Sequence, residues 1–211
     1  MDTPADPCRI ADLAALSALF GPVPEAALRK EATHLHPVYR QWIAASPFAV
    51  LATVGPGGLD ASPRGDPAPL VTVLDEHTLL LPERRGNNRI DSLRNILADP
   101  RVALYFLIPG VGESLRVNGR ARISVMPEYL ERLAMNGVQP ACVIEVKIDT
   151  VFFQCARAIK RSKLWSSSDP AVLTPSMVPT AGAMLAALTD AAIDGQAYDR
   201  ELPARLNATL Y

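Results

Sequence analysis

Ser114-Leu-Arg-Val-Asn-Gly-Arg-Ala-Arg-Ile-Ser-Val125 is the stretch on which the fold turns. Leu115, Val117, Gly119, Ala121 and Ile123 alternate with Arg116, Asn118, Arg120, Arg122 and Ser124. Successive side chains of a strand point to opposite faces, so this period of two predicts a strand with one buried and one polar face.

Working outward, the neighbours on both sides also read as strands. Arg101 to Ile108 precedes it, and Ala141 to Gln154 follows after a helix opened by Pro127 and running to about Met135. Further upstream, Phe48 to Val54, the turn Gly55-Pro-Gly-Gly58 and a strand from Leu59 form a β-hairpin. Leu70 to Leu74 and Thr78 to Leu81 flank an Asp75-Glu76 turn, and a helix from about Asn88 to Ala98 stops at Asp99-Pro100. Short strands with hairpin turns and a few helices predict an antiparallel barrel with helices around it. A doubly wound parallel sheet needs a regular βαβ alternation that this order lacks.

The flanks differ in character. Asp6-Pro7 resembles an N-cap followed by proline at the first helical position, and Ile10, Leu13, Leu16, Leu19 and Phe20 recur at helical spacing. Pro24 to His34 and Pro37 to Ala45 read as two more short helices. After the last strand, Ala156 to Trp165 is a short helix or turn. A Ser/Pro-rich linker spans Ser166 to Pro179, and Ala181 to Ala192 is an Ala/Leu-rich helix. The expected organisation is therefore a helical extension over 1–46, a barrel domain over 47–165, and a linker with a C-terminal helix over 166–211.

Composition narrows the class. The chain has 211 residues, 49% of them hydrophobic, and a net charge of −1. That describes an ordinary globule and gives no reason to expect nucleic acid or an anionic membrane as partner. The start, MDTPADPCRI, has no basic region followed by an apolar run, and no stretch approaches the roughly 18 apolar residues of a membrane span. Cys8, Cys142 and Cys155 are odd in number and widely spaced, which suggests reduced thiols in a cytoplasmic protein. His34 and His36 lie two apart in a helical region, where their side chains diverge, so no metal site is expected.

Three segments carry candidate chemistry. The first is Pro82-Glu-Arg-Arg-Gly-Asn-Asn-Arg89, between a strand and a helix. Gly86 suits a tight turn, Asn87 or Asn88 can cap the helix, and backbone N–H groups at such a junction favour an anion. Arg84, Arg85 and Arg89 oppose the positive end of the helix unless a phosphate lies between, which arginine grips in bidentate fashion. The alternative is a solvated basic turn. The second is Ser62-Pro-Arg-Gly-Asp-Pro67, where Gly65 allows close backbone approach, Arg64 offers a cation and Asp66 an acceptor; a proline-rich surface turn is the plainer reading. The third is Lys160-Arg-Ser-Lys-Leu-Trp165, whose Lys160, Arg161 and Trp165 suit an anionic aromatic ligand or, as simply, a basic helix end with a packing tryptophan. The polar face of Arg116, Asn118, Arg120 and Arg122 can border a ligand or a subunit interface, with Arg116 and Asn118 as the candidates; a solvated sheet face is the more common explanation. Anion-binding cations without acid/base machinery suggest that a cofactor supplies the chemistry.

Together, Phe48-Ala-Val-Leu-Ala-Thr-Val54, the glycine turn, Arg89 opening a helix, Asp99-Pro-Arg-Val-Ala-Leu-Tyr-Phe106 and Leu115-Arg-Val-Asn-Gly-Arg-Ala121 resemble the pyridoxamine 5′-phosphate oxidase-like family, over about residues 46–165. The segments at 62–67, 85–89 and 160–165 resemble the hallmarks of its subgroup of flavin mononucleotide (FMN)-dependent enzymes. The resemblance implies a six-stranded split barrel with surrounding helices that forms a homodimer, with FMN sites at the subunit interface. It implies that Asn88 and Arg89 hold the FMN phosphate, and that Arg64, Gly65 and Asp66 lie beside the ring and ribityl chain. Lys160, Arg161 and Trp165 are implied to come from a late segment that the partner subunit can supply. The family's Arg-Lys pair is replaced here by Asn88-Arg89, and its C-terminal substrate strand is not recognisable. The expected activity is thus FMN-dependent oxidation or reduction of a small molecule other than pyridoxamine phosphate. Lys160 or Arg161 would stabilise charge on the reduced ring. The rival expectations are a non-catalytic FMN-binding or sensing module, and a dimeric interaction protein with an acidic partner.

Overall fold

The computed structural model describes residues 8–165 and 178–210. The chain divides into two units, Met1–Glu31 and Ala32–Tyr211. The expected cap at Asp6-Pro7 and most of the expected linker (166–177) lie outside the described residues.

The first unit carries two short helices, α1 (Leu13–Ser17) and α2 (Glu25–Arg29). Asp12 caps α1, its carboxylate accepting from the Ala15 N–H at 2.8 Å. Both helices are shorter than their apolar spacing predicts. Pro22 and Pro24 interrupt the run, and single-turn helices gain little from propagation. Leu13, Leu19, Phe20, Val23 and Leu28 are all exposed.

The second unit opens with α3 (Pro37–Ala44), which has proline at its start and His36 accepting from the Val38 N–H. Seven strands follow: β1 (Phe48–Gly55), β2 (Gly58–Gly65), β3 (Thr72–Asp75), β4 (Thr78–Glu83), β5 (Arg101–Leu107), β6 (Ser114–Ser124) and β7 (Cys142–Gln154). They form one antiparallel sheet in the order β2-β1-β5-β6-β7-β4-β3. The fold is the expected mainly-β architecture with helices. The count is seven rather than the implied six, because the short β3 adds an edge strand beside β4. The sheet is not closed by a continuous hydrogen-bond ladder.

The alternation in β6 appears as read. Leu115, Val117 and Ala121 are buried, whereas Arg120 and Arg122 are exposed. They join Leu51, Leu79, Leu81, Leu104, Phe106 and Ile144 in the main core. The register slips between Asn118 and Gly119. Gly119 is required there, since a Cβ would run into the Lys147 carbonyl oxygen of β7. β7 outlasts its partner β4, and Ala32 continues the pairing, exchanging backbone hydrogen bonds with Val151 at 3.0 and 2.8 Å.

Helix α4 (Asp91–Ala98) buries Ser92 and Ile96, and its Asn95 amide donates to the Thr53 hydroxyl of β1 at 3.0 Å. It begins three residues later than expected, and neither Asn87 nor Asn88 caps it. Asn88 (φ 59°) and Ile90 (φ 52°) are left-handed, so the chain turns twice before the helix starts. Ile90 stands at the cap without a side-chain hydrogen bond. For a β-branched residue this conformation costs of the order of 1–3 kcal/mol.

Short helices α5 (Pro127–Arg132) and α6 (Arg157–Ser162) flank β7 in sequence. The tail holds α7 (Ala181–Leu188), close to expectation, and α8 (Gly195–Ala208), which the sequence reading passed over. The two pack as a hairpin. Asp199 of α8 accepts from the Gly182 N–H at 2.7 Å and from the Thr180 hydroxyl, fixing the start of α7. Among the described residues, no helix is long and apolar enough to cross a membrane.

Candidate functional site

β2 lies at one edge of the sheet and β4 near the other, yet the ends of these two strands meet. Each end supplies one arginine and one acid: Arg64 and Asp66 from β2 and its exit, Glu83 and Arg84 from β4 and its exit. Two reciprocal ion pairs cross the gap. Arg84 grips Asp66 through Nε and Nη2, both at 2.8 Å, and donates from Nη1 to the Leu133 carbonyl at 2.8 Å. The Asp66 side chain is only 3% exposed and the Arg84 side chain 16%. Nε and Nη2 converge on Asp66 Oδ2, and a desolvated, charge-assisted contact of this kind is a strong fastener across a sheet opening.

The second pair is looser. Arg64 Nη2 stands 3.3 Å from Glu83 Oε2, with the side chains 18% and 20% exposed. Arg64 Nε and Glu83 Oε2 are buried without a hydrogen-bond partner among the described residues. Burial pushes the Glu83 carboxyl above its usual range, and the attraction of Arg64 only partly offsets this. Cys142, paired with Glu83 across the β4–β7 ladder, is likewise pushed up, by burial first and by the Glu83 charge second.

Two cavities border the 83–86 segment. One, of about 200 Å³, is lined by residues that include Arg64, Gly65, Glu83, Arg84 and Arg85. The other, of about 440 Å³, runs along Glu83–Asn88 to Leu93 and is walled by Val138–Ala141. Arg84 and Arg85 border both. The larger volume is within the ordinary range of small-ligand sites. Mixed walls of guanidinium, amide and apolar side chains suit a ligand with an anionic end and an apolar body.

The start of α4 is organised differently from the expectation. Arg89 is 74% exposed and bonds Asp91 at 2.7 Å; that carboxylate holds the guanidinium above its usual range. Asp60 accepts from Ser62 and from Ser92 in the first turn of α4, both at 3.1 Å. Carboxylates thus already complement the positive helix end. Asn87 serves the turn itself, accepting from the Arg89 N–H at 3.0 Å.

The remaining candidates lie elsewhere. Arg116 stacks over the Phe152 ring at 5.5 Å, and the Asn118 amide donates to the Thr150 hydroxyl at 3.1 Å. Lys160 and Arg161 are exposed in the last turn of α6, and the Trp165 indole N–H donates to the Val111 carbonyl at 2.8 Å. This group follows the Gln154 end of β7, whereas Glu83 pairs with its Cys142 end. The structure therefore brings together Arg64, Gly65, Asp66, Arg84 and Arg85, with Asn87 and Asn88 alongside. Lys160, Arg161 and Trp165 stay beyond the far end of that strand.

Sequence reasoning missed Glu83, the Leu133 carbonyl and the 138–141 wall. Glu83 had one available signal, an acid adjoining two arginines at the end of an apolar strand. The other two come from distant sequence and left none. Among the described residues, no three His, Cys, Asp or Glu side chains are arranged to hold a metal. His34 instead meets His77 edge-on, with ring centroids 6.2 Å apart.

No curated protein matches the chain. Among solved structures it is similar to HupZ from Group A Streptococcus, at 15% identity and a TM-score of 0.48, over 57% of this chain and 95% of that one. It is also similar to a proposed pyridoxamine 5′-phosphate oxidase from Lactobacillus delbrueckii, at 25% identity and a TM-score of 0.45, over 57% and 95%. An FMN-binding protein from Syntrophomonas wolfei aligns at 12% identity and a TM-score of 0.43, over 54% and 82%. The family model described as pyridoxamine 5′-phosphate oxidase matches residues 35–155, more than half of the chain. That span contains both ion pairs and both cavities, and the chain belongs to the pyridoxamine 5′-phosphate oxidase family.

Proposed function

We propose that the chain is an FMN-binding flavoprotein that oxidises or reduces a small molecule. The carrying observation is the concentration of Arg64, Arg84 and Arg85 around two adjoining cavities inside the family-matched span. The residues fit a phosphate-bearing ligand. Arg64 has a buried N–H donor without a partner among the described residues, and Gly65 lines the cavity beside it. Arg85, Asn87 and Asn88 would orient the polar chain, and the wall at Val138–Ala141 with Leu93 would exclude water from its apolar side.

When bound, the flavin ring supplies the hydride chemistry. The protein's part is to bind, orient and neutralise developing charge. Lys160 and Arg161 are the cations proposed for the reduced ring, and in this reading they reach it from a second subunit. Their position beyond the opposite end of β7 from Glu83 supports that arrangement. So does the half-buried outer sheet face, where Val50, Ala52, Ala103 and Tyr105 adjoin Arg116 and Asn118. A homodimer would cover this face and complete each site.

Purified protein should show the absorption bands of oxidised flavin, release FMN on denaturation and migrate as a dimer. Colourless protein that also takes up no added FMN would reject the reading.

A further inference from the structure

The two ion pairs at the opening are chemically alike and differ in how completely they are satisfied. Asp66 has both arginine donors at short range and almost no exposure, so it is not available for exchange. Glu83 holds Arg64 through a single 3.3 Å approach, and each partner keeps a buried polar atom unbonded. Arg64 also makes a local bond, from Nη1 to the Pro63 carbonyl at 3.0 Å. Both partners line the 200 Å³ cavity, together with Gly65 and Arg85.

From this geometry, and resting on the phosphate-binding reading above, we propose that Glu83 is an exchangeable counter-ion for Arg64. An entering phosphoryl group takes over the guanidinium, and Glu83 is released from it. A phosphoryl group brings more acceptor oxygens and more negative charge than a carboxylate and can engage Nε and an Nη of one guanidinium together, whereas Glu83 as placed approaches Nη2 alone and leaves Nε unbonded. Three guanidinium groups line the cavity against Glu83, with Asp66 already committed to Arg84, so a dianion is the charge that fits once Glu83 withdraws. The upward push on the Glu83 carboxyl fits a poorly compensated charge. Glu83 would then set the preference among ligands, since neutral ligands gain nothing from the exchange and must leave the pair intact.

The test is a set of titrations with FMN, riboflavin and inorganic phosphate on the full chain, using wild type, Glu83→Gln, Arg64→Gln and the double variant. Glu83→Gln should tighten FMN and phosphate at least about fivefold, because it removes a competing like charge. Riboflavin should change less than about twofold. The gain should be lost in the Arg64→Gln background. Equal FMN affinity in wild type and Glu83→Gln overturns the exchange while leaving the phosphate reading standing. So does a gain that persists undiminished without Arg64, because Glu83 would then merely repel the ligand. Wild type that binds riboflavin as tightly as FMN and binds no phosphate overturns both. The Arg64 Nε–H resonance gives the same answer without any substitution: it should move on adding FMN to wild type, and a stationary signal sinks the exchange.

Discussion

The Arg84–Asp66 and Arg64–Glu83 pairs join the same two strand ends and have opposite consequences. Arg84 places Nε and Nη2 on one Asp66 oxygen and Nη1 on the carbonyl of Leu133. Arg64 is held at one point, in a setting where Nε and the Glu83 oxygen stay unbonded. A buried ion pair contributes to stability only when its geometry and remaining hydrogen bonds offset desolvation. The first pair meets that condition and acts as structure. The second does not, and it is the pair proposed above for exchange with a ligand. Two arginine–carboxylate pairs joining the same strand ends thus differ in burial and in how far their hydrogen bonds are satisfied.

Breaking the first pair should have the largest effect. Asp66→Ala deprives the buried Arg84 guanidinium of this carboxylate and should cost about 3 kcal/mol; urea denaturation followed by fluorescence would measure it. A loss no larger than that of a surface substitution would put the two pairs on the same footing.

The second pair should respond to pH rather than collapse. The Glu83 carboxyl sits above its unfolded value, near 4.5, so the folded chain binds its proton more tightly than the unfolded chain does. Its unfavourable contribution is therefore full above the folded value and is relieved as pH falls toward the unfolded value. The groups facing it are Arg64, the thiol of Cys142 and, next along the chain, Arg84. Glu83→Gln should fold with a stability within about 1 kcal/mol of wild type at neutral pH, and it should lack this gain on acidification. Denaturation midpoints from pH 7 to pH 5 would read the difference, and parallel profiles would contradict it.

The smallest effect on stability belongs to Arg89, which is exposed and paired only with its neighbour Asp91. Arg89→Ala should leave the denaturation midpoint unmoved while weakening FMN more than riboflavin. Equal losses for the two ligands would remove Arg89 from the phosphate contacts and leave that role to Arg64 and Arg85.

The strands were legible because their signal is local. The alternation from Leu115 to Ser124 in β6, and a glycine turn between two apolar runs, specify faces and hairpins without distant context. The beginning of α4 was not legible. Asparagine is a good cap in general, but here Asn88 and the branched Ile90 both adopt left-handed backbone, which propensity disfavours and tertiary packing imposes. Helix α8 was hidden by Pro203 in its interior and by low apolar content, although Asp194 caps it in the ordinary way, accepting from the Ala197 N–H.

The same divide runs through the site. The arginines and glycines of 62–67 and 82–89 stood out as segments. Their pairing did not, because Asp66 and Arg84 are joined by the curl of a sheet whose edge order no single segment reveals. The separation of Lys160, Arg161 and Trp165 from the cavities needed the length of β7 as well as its existence.

That length carries a liability which Ala32 answers. Beyond Lys147, β7 has no further partner in β4, so its outer row of amides and carbonyls would be left bare. The His77 carbonyl takes the Ile148 N–H at 2.8 Å, and Ala32 engages both polar groups of Val151. A bare rim of this kind invites stray chains to add themselves strand by strand. Two short stretches of backbone from the same chain close it, which guards this margin of the sheet against such addition.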